Sequence, residues 1–309
     1  MKNILIILST ILIAFAIFFY ASPKELYAGS AIQLTPTSLE FELESGGTFM
    51  SQDFNLFNPS KEETQEVTVK VSDFFVDDET GSYRILKELH PRYSLSEWVS
   101  VEPKKVTLEP LEVQNLTVTF TSPQSAEPGG HYAMLIIDSR ESDSEQEVEG
   151  VLVQPVGGVA APLFATVPGD ISWEGRLLEF LPVSFKNTGP VEFKLRFQNQ
   201  GTVHYRPSGK VEVFDFLNNK VGEAKIRPTR VFPQSIRRLE TTWDRYLLIG
   251  KYRAKATLTY GEPGSEETET AKITFWAFPY KPAAVILITI IIVILVTKLK
   301  KQTEEEASS

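Results

Sequence analysis

The sequence predicts an all-β protein: two tandem immunoglobulin-like β-sandwiches, flanked by an N-terminal signal helix and a C-terminal transmembrane helix. Three observations predict it. Apolar and polar residues alternate along many short runs, as in strands with one wet face. Turn-forming clusters break those runs at short intervals. A Gly-x-Tyr pattern opens a strand-like run in each half, placing Tyr132 and Tyr252 at matching positions.

The chain begins with Lys2, then "NILIILSTILIAFAIFFY", then the small residues of "ELYAGSA". A basic start, an apolar run and a small-residue stretch read as a secretory signal over residues 1–31. Cleavage after Ala28 competes with cleavage after Ala31, and an uncleaved membrane helix stays open.

The alternating runs follow in order. "SLEFELES" puts Leu39, Phe41 and Leu43 on one face, and "QEVTVKVS" does so with Val67, Val69 and Val71. "NLTVTF", "VEFKLRF", "GKVEVFD", "YRAKATLTY" and "AKITFWAF" repeat the pattern. No stretch between the terminal helices carries a period of 3.6. "TVPGD", Thr166 to Asp170, separates the halves, giving a first sandwich over 32–170 and a second over 171–280. Asn58 and Asn199 each follow an alternating strand, where asparagine can bond its own backbone in a tight turn. Tyr132 and Tyr252 read as structural tyrosines of the immunoglobulin corner type, buried and bonded to nearby backbone. Trp98 and Trp243 read as core packing residues, with sugar platforms as the rival role.

The second apolar segment, "PAAVILITIIIVILVTKLKK", is read as a transmembrane helix over 281–299 with a cytoplasmic tail over 300–309. Trp276, Phe278 and Tyr280 precede it as an aromatic belt, and Lys298, Lys300 and Lys301 follow as a cytoplasmic flank. Its purely apolar part, Ala283 to Thr297, rises only about 22 Å as a helix.

Composition narrows the chemistry. The chain has no cysteine, so disulfides, thiolate metal sites and cysteine nucleophiles are excluded. The formal charge is −9, and the part between the terminal segments carries −10. That balance argues against nucleic acid or an anionic membrane surface as partner. There is no G-x-S-x-G, H-E-x-x-H or phosphate-binding glycine loop. His90, His131 and His204 lack metal-ligand spacing. "DFFVDDETGS" does not match a calcium loop and reads as a solvated hairpin tip, and "DSRESDSEQEVEG" as an acidic hairpin or mobile loop. "NQGTVHYRPSG" holds His204 without an evident nucleophile or orienting carboxylate, so it reads as a turn. No catalytic, cofactor-binding or metal-binding residue is assigned, no cofactor is expected, and the protein reads as a non-enzyme. Asn115 lies in an Asn-Leu-Thr sequon.

One stretch, "SEWVSVEPKKVTLEPLEVQNLTVTFTSPQSAEPGGHYAMLII", combines a tryptophan strand, Val-x-Leu-x-Pro and Ala-x-Pro-Gly-Gly-x-Tyr-Ala. It resembles the N-terminal domain of the WxL-interacting proteins of bacterial cell surfaces. "NQGTVHYRPSGKVEVFD", "VFPQSIRRLETTW" and "GKYRAKATLTYG" resemble their second domain. The resemblance implies peptidoglycan binding by the first domain and surface-protein binding by the second. The expected function is thus a non-catalytic, membrane-anchored adaptor. It would be single-pass in the cell membrane, with an extracellular ectodomain, and would bind cell-wall glycan or extracellular proteins. The alternative is a chaperone-like protein that adds a β-strand to a secreted partner. A long exposed edge strand lacking Lys or Pro would favour that alternative, and an aromatic-lined groove would favour glycan.

Overall fold

Each alternating run of the sequence becomes a strand, because period-two burial is satisfied only when alternate side chains point into a shared core. The computed structural model describes residues 32–44, 49–139, 147–148, 151–152, 158–181 and 183–307. The expected signal segment 1–31 and most of "DSRESDSEQEVEG" lie outside them.

In the N-terminal unit the strands are β1 (Gln33–Thr35), β2 (Leu39–Glu42), β3 (Phe49–Phe57), β4 (Gln65–Phe75), β5 (Arg84–Ile85) and β6 (Val99–Glu102). They continue as β7 (Lys105–Leu108), β8 (Val113–Thr121), β9 (Gly129–Asp138), β10 (Glu147–Val148), β11 (Val151–Leu152) and β12 (Val159–Val167). One sheet has the order β1-β3-β8-β6, and the other β2-β12-β9-β4-β5 with β7 also on β4. β10 and β11 form a small separate hairpin. Phe54, Phe120, Leu135 and Leu163 are fully buried between the two larger sheets.

The C-terminal unit follows a short link after Val167. Its strands are β13 (Gly175–Phe180), β14 (Val191–Asn199), β15 (Ser208–Phe214), β16 (Lys220–Ile226), β17 (Ile236–Trp243), β18 (Gly250–Tyr260) and β19 (Glu267–Ala277). Sheets β13-β14-β17 and β16-β15-β18-β19 enclose Phe193, Phe197, Trp243 and Leu258. The described chain is therefore all-β apart from one 3-10 turn, Ser96–Trp98, and a C-terminal helix, α1 (Tyr280–Ala307).

The first strand changes sheets. β1 runs antiparallel to β3, from Gln33 opposite Phe57 to Thr35 opposite Asn55. Pro36 then lacks an N–H for the ladder. The chain crosses over, and β2 runs parallel to β12, Leu39 opposite Leu163 through Glu42 opposite Thr166. Neither sheet is covered along its whole flank. Among the described residues, β3 from Phe49 to Phe54 has β8 on one side and no strand on the other. β12 is likewise open from Val159 to Pro162.

The two asparagine turns do the same work in each unit. Asn58 is fully buried; its Nδ2 donates to the carbonyls of Glu63, Leu108 and Glu109 at 2.8–3.1 Å, while its Oδ1 accepts Ser60 N–H. Asn199, equally buried, donates to the carbonyls of Val203 and Val231 and accepts Gly201 N–H at 2.8 Å. A buried loop carbonyl has no water to turn to, so the amide replaces a missing strand.

The expected transmembrane helix is corrected. Among the described residues no helix is long and apolar enough to cross a membrane. α1 does not stop at residue 299; it continues through Lys300 and Lys301 to Ala307, taking in Glu304, Glu305 and Glu306. Its apolar stretch rises about 22 Å, against about 30 Å for a bilayer core. The single-pass membrane localisation and cytoplasmic tail fall with it.

Asn199→Ala should strand the Val203 carbonyl and the Gly201 N–H, while the Val231 carbonyl keeps Tyr205 N–H. At about 1–3 kcal/mol for a buried group left unpaired, the urea midpoint should drop clearly, with m unchanged. An unaltered midpoint would show that the amide is dispensable.

Candidate functional site

The segment "NQGTVHYRPSG" joins β14 to β15 and lies where the two units meet. Asn199 turns the chain back at its start. Thr202 N–H then donates to Ser172 O in the link, and Gly130 N–H at the head of β9 donates to Thr202 O at 2.8 Å. Gly129 permits this approach: its φ is +126°, and an added Cβ would lie 2.7 Å from the Thr202 carbonyl oxygen.

His204 comes next and is buried. Its backbone N–H donates to the Tyr132 hydroxyl at 3.0 Å. Its ring Nδ1 lies 3.2 Å from the same hydroxyl, and Nε2 lies 2.9 Å from Glu40 Oε1 on β2. These partners assign the tautomer: Nε2–H donates to the carboxylate, and Nδ1 accepts from Tyr132 O–H. Glu40 also receives Arg206 and, at 2.8 Å, Arg230. The Arg230 guanidinium carbon stands 3.8 Å from the Phe164 ring centroid, a cation–π contact.

The electrostatics follow from burial and charge. Burial pushes the His204 imidazole below its usual range, and the bond to Glu40 only partly opposes this. The ring is therefore neutral at neutral pH. The His204 bond, with help from Arg206 and Arg230, holds the Glu40 carboxyl far below its usual value. Burial drives the Tyr132 hydroxyl well up. Apolar contacts seal the junction: Phe74, Val76, Tyr93, Tyr132, Met134 and Phe164 from the first unit enclose Phe232 from the second.

The acidic tip "DDETGS" is a second contact, which corrects its reading as a solvated hairpin end. Asp78 closes its own turn, accepting from Gly81 and Ser82 N–H and from the Thr80 hydroxyl, and its carboxyl is lowered to about 2 chiefly by the Thr80 bond. Glu79 reaches across to the other unit. Its Oε1 accepts Arg196 Nε and Nη2 at 2.9 and 2.6 Å, and its backbone carbonyl accepts Arg238 N–H at 2.8 Å on β17. The tip thus adds a main-chain bond to the β17 edge. Among the described residues no group of three or more acidic or histidine side chains is placed to hold a metal.

Beside these contacts lies a cavity of about 310 Å³, lined by Gly81, Tyr83, Arg206, Arg230, Phe232 and Arg237 among others. The Arg237 guanidinium lies directly over Gly81, whose φ is +77°; a side chain there would displace it. The Nε atoms of Arg230 and Arg237 are buried without a hydrogen-bond partner.

The remaining sequence-predicted residues are dispersed. His90 Nδ1 accepts Arg92 and Tyr93 N–H within its own turn, and His131 bonds the carbonyls of Ser94 and Glu127. Trp98 is partly buried and lies 4.2 Å from the His131 ring, while Trp243 is 5% exposed in the core. Tyr252 behaves as expected, buried with its hydroxyl accepting Ile249 N–H. Tyr132 is buried too, but its hydroxyl serves the other unit. Sequence reasoning missed Glu40, Glu79, Arg230 and Arg237. Only Arg237 left a signal: it shares strand parity with Leu239 and Trp243, on the core-facing side of β17.

No family model matches the chain, and no curated protein matches it. Solved structures similar to this chain include several chaperones and a PapD-like domain of human CEP192. A chaperone–tip adhesin complex of CFA/I fimbriae is 12% identical with a TM-score of 0.40, over 77% of this chain and 97% of that one. The YadV chaperone is 13% identical with a TM-score of 0.38, over 78% and 99%. The CupB2 chaperone of Pseudomonas aeruginosa is 11% identical with a TM-score of 0.36, over 78% and 100%. No family model bears out the expected resemblance to WxL-interacting proteins, and the expected peptidoglycan-binding, membrane-anchored adaptor is corrected with it, since no helix among the described residues is long and apolar enough to cross a membrane. The two tryptophans that were candidate sugar platforms are occupied in packing.

Stability should fall as pH drops from 7 toward 5. Below about 6.5 the unfolded chain protonates His204 while the folded chain resists, so the unfolded state binds more protons. Glu40, held low when folded, adds a loss of the same sign below about 4.5. Urea midpoints at pH 7.5 and 5.5 check this, and His204→Gln should flatten the difference. Burial also lowers His90, which should keep a smaller slope. Tyr132→Phe should cost about 1–3 kcal/mol at pH 7.5, because His204 N–H loses its acceptor. A mutant as stable as the parent would deny that bond its role.

Proposed function

We propose that this chain is a non-catalytic, chaperone-like binding protein of two immunoglobulin-like sandwiches, spanning 32–170 and 171–280. It takes an extended segment of a secreted protein partner as an added strand. The supporting observation is the open flank of β3. From Phe49 to Phe54 its main chain faces no strand among the described residues on the side opposite β8. The stretch "FMSQDF" contains neither Lys nor Pro, the residues that blunt an exposed edge. β1 already sets the geometry: a partner strand continuing its antiparallel lane would meet β3 where β1 leaves it. The other open flank, on β12, ends in Pro162 and is a poorer template. Main-chain bonds would give affinity, and alternate side chains of the partner would give specificity. No nucleophile–base pair converges at the junction, where His204 is bound on both ring nitrogens.

A photo-reactive residue at exposed Ser51 tests the reading in the native host. It should capture a secreted protein that the same residue at Glu223 on β16 does not. Hydrogen exchange on the purified complex should then show new amide protection confined to Phe49–Phe54. Protection elsewhere, or equal capture at both positions, overturns strand addition.

A further inference from the structure

We propose that the arginine-lined cavity between the units is a binding site for a dianionic oxyanion, of the kind a phosphate monoester presents. The proposal stands apart from the β3 edge. Three guanidinium groups, Arg206, Arg230 and Arg237, line the cavity. One carboxylate, Glu40, pairs with Arg206 and Arg230. Arg237 has no ion-pair partner among the described residues. The other nearby carboxylates are engaged elsewhere, Glu79 by Arg196 and Arg238 and Asp78 by the Gly81 and Ser82 N–H groups. His204 faces Glu40, Arg206, Arg230 and Tyr132, and as a neutral ring it leaves the count unchanged. With Glu40 and the Asp78 carboxylate behind Gly81 set against the three guanidinium groups, the cluster carries a surplus of about one positive charge inside a chain of net charge −9.

Such a surplus is costly without an anion. Like charges in a partly buried site repel, and a buried donor without an acceptor loses its hydration. The buried Nε groups of Arg230 and Arg237 are two such donors. Arg237 also sits on the core-facing parity of β17, opposite Phe197, where an apolar residue would pack at no electrostatic cost. Its guanidinium is accommodated only because residue 81 has no side chain. A phosphate monoester brings about −1.5 to −2 charges and three acceptor oxygens. Guanidinium forks match those oxygens in paired bonds. The volume, about 310 Å³, exceeds what a bare phosphate fills, and Tyr83 and Phe232 supply apolar wall for an organic substituent.

The test uses the purified full chain with inorganic phosphate, phenyl phosphate and acetate, exchanged against chloride at fixed ionic strength. Phosphate should raise the melting temperature saturably, and at 100 times its Kd the folding constant should rise about 100-fold. Arg237→Gln should abolish the shift, and Arg176→Gln, on exposed β13, should keep it. Should Arg237→Gln fold poorly, Arg237→Lys keeps the charge without the fork and should weaken phosphate binding at least several-fold. Phenyl phosphate should bind more tightly than phosphate. A linear, unsaturable shift, or a shift unchanged in both Arg237 variants, overturns the site. Equal saturable binding of acetate overturns the dianion, and weaker binding of phenyl phosphate overturns the organic ester.

Discussion

The junction depends on one hydroxyl. Tyr132 is fixed by the core-facing pattern of β9, yet its oxygen accepts His204 N–H and faces the His204 ring from the neighbouring unit. That orients the imidazole, which presents Nε2 to Glu40, which in turn gathers Arg206 and Arg230. Each link satisfies a group that burial would otherwise penalise. The strand order alone would permit two units joined by a loose linker. The buried polar chain, with the apolar contacts around Phe232, fixes how they meet.

The change of sheet by the first strand has the opposite character. A strand divided between two sheets ties them together at one end of the N-terminal unit. It also leaves each incompletely covered. On β12 the exposed flank carries Pro162, which removes a donor. On β3 no such residue intervenes, and a ladder of main-chain groups stays available to another chain. Closure of the core and openness of the edge follow from the same crossing at residues 36–38.

Much of this was legible in the sequence. Period-two runs marked the principal strands, and the glycines before Tyr132 and Tyr252 marked the starts of β9 and β18. The asparagine turns at 58 and 199 also held. Local pattern could not say where the Tyr132 hydroxyl ends, because its partner lies 72 residues away. Glu79 looked like an ordinary solvated tip because Arg196 and Arg238 sit on distant strands. The C-terminal segment misled for another reason: apolar density was visible, but among the described residues no helix is both long and apolar enough to cross a membrane. Arg237 was the detectable omission, a charged residue at a core-facing position of an otherwise alternating strand.

The clamp made by Glu79 bears on how anything enters the space beside it. Its backbone bond to β17 and its side-chain hold on Arg196 and Arg238 would all have to break for the units to swing apart. A hinge that opened and shut on each visit would add a slow unimolecular step. With the walls already set, capture is a single encounter. Its rate is governed by diffusion and by the local positive field, and residence time, not opening, distinguishes one occupant from another.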